Sequence, residues 1–81
     1  MKLYLVCRTD SVGYDNYDSL VVSAVDEDDA RHISPDGGEL PPAEVYGGSW
    51  IGLDKIDSLD VEYLGETDKS RGVIISSFNA G

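Results

Sequence analysis

Basic side chains, sulfur and imidazole are all scarce in this chain of 81 residues. Six lysines and arginines stand against sixteen aspartates and glutamates, a formal charge of −10 with the lone histidine neutral. A field of that sign repels phosphate backbones and anionic bilayers, so direct binding of nucleic acid or of a membrane is not expected, whereas a basic protein surface is attracted. Solubility alone is the plainer use of the same charge. The single Cys7 can close no internal disulfide, and with only His32 beside it no zinc site of sulfur and imidazole ligands can be assembled. Neither a signal-like segment nor an apolar run near the ~20 residues of a spanning helix is present, so the expected setting is the cytoplasm.

Apolar residues make up 41% of the chain, enough for one core, and residues 1–81 read as a single domain without repeats or an internal linker. A domain of this size has a thin margin of stability, and homo-oligomerisation is a common remedy. "KLYLVCRT" alternates, with Leu3, Leu5 and Cys7 on one face and Tyr4, Val6 and Arg8 on the other. It reads as a strand with Cys7 pointing inward. "SLVVSAV" reads as a second strand, antiparallel to the first.

"DEDDARHISP" carries helix signals: Asp26 as N-cap, acids in the first turn, a Glu27–Arg31 pair, Ala30 and Ile33 inward, and Pro35 as a stop. Residues 35–58 hold all three prolines and form an irregular segment, with Trp50, Ile51, Leu53 and Ile56 as its anchors and "LDKID" as a helical turn. "LDVEYLGE" is a half-buried strand with Asp60 and Glu62 on a wet face, and "VIISSF" is the last strand. The expectation is an α+β fold, a small and mainly antiparallel four-stranded sheet with one short helix in ββαββ order.

The connection from Asp10 to Asp18 is longer than the ~2–5 residues usual for a hairpin, and it contains Tyr14 and Tyr17. Asp15 and Asn16 favour Asx turns, and the rings offer flat amphipathic surface with few rotors to freeze, as in recognition loops. The alternative is that a tyrosine packs over the sheet margin while the acids solvate the loop. Arg8 could close a clamp with Asp10 and Asp18. Those aspartates with Asp15 lack the spacing of a calcium loop, so no metal is expected. No cofactor is expected either. His32 has no nucleophile beside it, the serines occupy no catalytic motif, and "GG" at 37 and 47 opens no phosphate loop, so the protein is read as a non-enzyme.

The Arg8-Thr9-Asp10 strand end, "YDNYDS", "VVSAV", "DEDDAR" and the closing "SFNAG" together resemble a class of short acidic phage and prophage proteins. The resemblance spans the first third of the chain and its last few residues, leaves the middle uncovered, and brings no activity with it. It implies a bacterial host cell and a small accessory protein that acts by binding, such as an inhibitor of host defence. On the first reading the partner is a host protein with a basic surface, with Tyr14, Tyr17 and Trp50 as anchors and Asp10, Asp15 and Asp18 steering. The second is an oligomeric sponge for a small ligand such as a signalling nucleotide, held by Arg8, Asn79 and the aromatic rings. A structural role without a ligand is the third. The uncharged end Phe78–Gly81 suggests a docked tail, on the chain's own sheet or on a second subunit.

Overall fold

The computed structural model describes residues 1–9, 16–42 and 50–79. Strands β1 (Lys2–Cys7) and β2 (Asn16–Ala24) are followed by helix α1 (Glu27–Arg31), a 3-10 segment (Leu53–Ser58), and strands β3 (Asp60–Glu66) and β4 (Gly72–Asn79). All pairings are antiparallel, and the strands lie in the order β3-β1-β2-β4. This is the expected α+β sheet with one short helix. Strands β3 and β4 are neighbours in sequence but occupy opposite edges, so residues 67–71 cross one end of the sheet. Thr67 N donates to the Met1 carbonyl at 3.0 Å, and Ser23 Oγ donates to the Lys69 carbonyl at 3.0 Å, pinning that crossing in place.

Helix α1 forms as its sequence dictates. Asp26 is extended (φ −154°) and its Oδ1 accepts from Asp29 N at 2.8 Å, supplying a partner to a first-turn amide that the helix itself cannot satisfy. Arg31 Nη2 lies 3.1 Å from Glu27 Oε1 one turn back. The helix ends at His32, whose Nδ1 is 2.7 Å from the Asp28 carbonyl oxygen, a contact that places a proton on that nitrogen. Ala30 and Ile33 are buried beneath it.

Residues paired across a sheet share a face, and the register pairs Tyr4 with Val22 and Val6 with Leu20. These four join Ala24, Ala30, Ile33, Leu40, Trp50, Ile51 and Leu59 in one core. The inward face of β1 is therefore Tyr4 and Val6, and Cys7 lies with Leu3 and Leu5 on the other side, half-buried. The inward placement expected for Cys7 is thus corrected. Strand β1 is apolar at both parities, so its own alternation could not choose; the side over which the chain turns after Ala24 chooses for it.

The irregular segment is tied down at both ends of its described part. In the Pro35–Gly38 turn, Gly37 takes φ +88°, a conformation that favours glycine, and donates to the Ser34 carbonyl at 2.8 Å. Leu53 N and Asp54 N donate to the carbonyls of Pro41 and Pro42 at 2.8 and 3.0 Å. Trp50 and Ile51 anchor the segment in the core, with Ile56 packed against them. Leu53 is 40% exposed and is not an anchor: the 3-10 segment turns it outward while burying Ile56 in part.

Arg71 fastens the crossing connection to the helix. Its Nε donates to both carboxylate oxygens of Asp29 at 2.9 and 3.0 Å, with Nη2 at 2.8 Å, while Asp29 also accepts from Val25 N at 3.0 Å. The Arg71 hydrogen bonds, aided by that backbone amide, hold the Asp29 carboxyl below its ordinary range. A group with a depressed native pKa contributes stability that is present above the unfolded-state value and lost as pH falls through the native one. Asp29→Asn should therefore cost about 1 kcal/mol at neutral pH, a modest figure because both side chains are partly hydrated. Urea midpoints of variant and parent should begin to converge as pH falls below about 3.9 and meet once it has passed the depressed native pKa of Asp29; a gap that persists below that point would assign the loss to packing.

Candidate functional site

The hairpin end of the sheet collects most of the residues singled out from sequence. Arg8 follows β1 directly, its amide donates to the Asp18 carbonyl at 3.1 Å, and its guanidinium carbon lies 5.9 Å from the centroid of the Trp50 ring, within cation–π range. Thr9 Oγ1 donates to the Ser58 carbonyl. Asn16 pairs with Asn79 and Tyr17 with Phe78. Arg8, Tyr17, Asp18, Trp50 and Asn79 thus meet at one end of the fold, and the chain's end as far as Asn79 is docked on its own sheet. Asp10, Tyr14 and Asp15 lie outside the described residues.

For several of these residues the fold selects one of the two settings that the sequence allows. Strand β2 begins at Asn16, so Tyr17 and Asp18 belong to the sheet and the connection between the strands is residues 8–15. Tyr17 is half-buried and packs against the core, which is the sheet-margin use of that ring. Trp50 is only 6% exposed. It is a core anchor of the irregular segment, not a surface contact, because its large apolar area is what holds that segment to the sheet. Its Nε1 is buried without a hydrogen-bond partner among the described residues. Asp18 is exposed, at an irregularity in the β2–β4 register.

A second region comes from the topology. The helical elements and the core lie on one face of the sheet; on the opposite face the described residues place the outward side chains of the strands, with the 67–71 crossing over Ser23 at one end. Across it the register sets Leu5 beside Val21, Val21 beside Ile75, and Cys7 beside Ser19, with Ser19 in turn beside Ser77. Leu5, Cys7 and Val21 are half-buried, whereas Ile75 is 63% exposed. On the β3 side the same face carries Glu62 beside Leu5 and Asp60 beside Cys7. Burial, followed by the fields of Asp60, Asp18 and Glu62, pushes the Cys7 thiol up from its ordinary value. Three carboxylates therefore border one corner of an apolar strip. Ser23 closes the other end, buried under the Lys69 carbonyl.

Sequence reasoning had placed acids at the loop and at the helix start, and had not joined Asp60 and Glu62 to Asp18. The cue was present in β1, apolar at both parities, and in Val21 on the second parity of β2, beside a strand with a wet acidic face. What the pattern could not say is which parity lacks a cover.

Elsewhere, a groove of about 200 Å³ is lined by His32, Glu39, Leu40, Leu53 and Arg71. It is smaller than the ~300 Å³ at which small-molecule sites begin, and its arginine is engaged by Asp29. Among the described residues no three His, Cys, Asp or Glu side chains group as a metal site, and no helix is long and apolar enough to cross a membrane. No protein-family model matches the chain, and neither a curated protein nor a solved structure matches it.

Proposed function

We propose that this chain is a non-enzymatic binding protein, a phage-type inhibitor of host defence that acts in the bacterial cytoplasm by occupying the basic surface of a host protein. The observation that carries the reading is the convergence of Asp60, Glu62 and Asp18 around Cys7, beside the apolar side chains Leu5, Val21 and Ile75, on which no described element packs. A surface of solvation alone has no need of that neighbour. Apolar contact supplies affinity, and the carboxylates raise the rate of encounter with a cationic partner and discriminate against anionic ones.

Capture from host lysate by the tagged protein, run beside an Asp60→Asn/Glu62→Gln double variant, tests the reading. A defined basic protein should be retained by the parent, released as salt rises, and retained at least about tenfold less by the double variant. Native mass spectrometry of the purified protein supplies the contrary outcome. A small-molecule adduct in place of a protein partner would overturn the proposal in favour of a ligand sponge.

A further inference from the structure

The sheet face on which no described element packs has a size and a charge pattern that together specify an occupant. With strands ~4.8 Å apart and residues ~3.3 Å apart, the area from β3 to β4 over five residues measures about 14 by 16 Å. An α-helix is ~10–12 Å across and rises ~1.5 Å per residue, so three turns of one helix cover it. A hollow of about 120 Å³ lined by Ser19, Leu20, Val21, Ile75, Ser76 and Ser77 lies between β2 and β4, with room for one small apolar side chain. Its walls are low because serines flank the branched residues. Among the described residues the carboxylates of this face stand along β3 and at Asp18, and the outward β4 residues Ile75 and Ser77 carry no charge.

We propose that this face docks an amphipathic cationic helix of the partner protein, its apolar side on Leu5, Val21 and Ile75 and its lysine or arginine flank against Asp60, Glu62 and Asp18. This rests on the reading of the chain as a binder of basic proteins and assigns the surface and the partner element. The occupant takes the place of a second helical layer, opposite α1. A second copy of the chain fits less well. A two-fold axis across the strands sets Asp60 and Glu62 against their own equivalents, and an axis along the strands buries them against uncharged β4, desolvated without partners.

Cys7 is the chain's only thiol and sits within the strip, so its alkylation reports coverage without any added label. The probe is a synthetic leucine/lysine peptide of about 14 residues with one apolar helical face, compared with a scrambled isomer of equal charge that has none. At about 0.15 M salt, saturating amphipathic peptide should slow maleimide modification of Cys7 at least about tenfold, and the isomer should not. The Asp60→Asn/Glu62→Gln variant should weaken the amphipathic peptide's binding about tenfold and flatten its salt dependence. Ile75→Lys, at an exposed edge position, should abolish protection. Should that variant misfold, amide shifts in the parent confined to β1, β2, β4 and the outward β3 positions give the same answer.

Tight binding of either peptide that leaves Cys7 equally reactive would overturn the docking face while sparing the reading of a cationic partner. Absence of binding by both peptides would overturn both. Protection that grows with protein concentration in the absence of peptide would replace the helix with a second copy.

Discussion

Leu20→Ala is expected to lower the thermal midpoint by about 10 °C or more. Leu20 is 1% exposed, pairs with Val6 on one side and Ser76 on the other, and so sits at the centre of the four-stranded sheet. Truncating a buried leucine removes its transfer free energy and leaves a cavity, together about 2–5 kcal/mol. A chain of this length has about 4–12 kcal/mol in all. In a domain of this size each kcal/mol shifts the midpoint by about 4–8 °C, so the variant should be partly unfolded at physiological temperature. Leu53→Ala is the matched control. The same chemistry at a 40% exposed position should cost no more than about 0.5 kcal/mol. Circular-dichroism melts of the two variants decide the matter, and equal losses would mean that the core is not where the sheet register puts it.

Tyr17→Ala should cost about 1–3 kcal/mol, seen as a lower urea midpoint, before any effect on binding is considered. The ring packs against the core from the first turn of β2, opposite Phe78 near the end of β4. Its loss removes apolar contact where the last strand is joined to the sheet, so amide exchange at the β2–β4 end should accelerate with the drop in stability. A ring serving only as a recognition surface predicts the reverse pattern, an unchanged midpoint with binding lost. That outcome would return Tyr17 to the loop reading and remove it from the core margin. The two substitutions differ in kind: Leu20 tests the interior, and Tyr17 tests whether a residue chosen for its exposed-looking context is in fact structural.

Much of the architecture is written in local chemistry. Asp26 with its acidic first turn, the Glu27–Arg31 pair, and the apolar runs bounded by turn residues act over a few positions, and each formed where its side chains require. The turn at Gly37 and the wet face of β3 are of the same kind. The candidate site was less legible. Arg8 and Asp18 were joined by nearness in sequence, and the fold does bring them into backbone contact. Trp50 was chosen for its ring, and its ring is what the core consumes.

The sequence by itself determined the element types, the strongly acidic balance of charge and the scarcity of sulfur and imidazole side chains, because propensity, capping and net charge are local or additive. Which parity of β1 and β2 faces the core, and which is left open beside Asp60 and Glu62, only the tertiary structure decided. Strand β1 is apolar on both sides and β2 carries Val21 between Ser19 and Ser23 on its open side, and a period of two is symmetric under exchange of faces until a helix packs on one of them. The acidic corner around Cys7 exists for the same reason. It is assembled from β3 and β2, whose carboxylates are distant in the chain and become neighbours only through the order β3-β1-β2-β4.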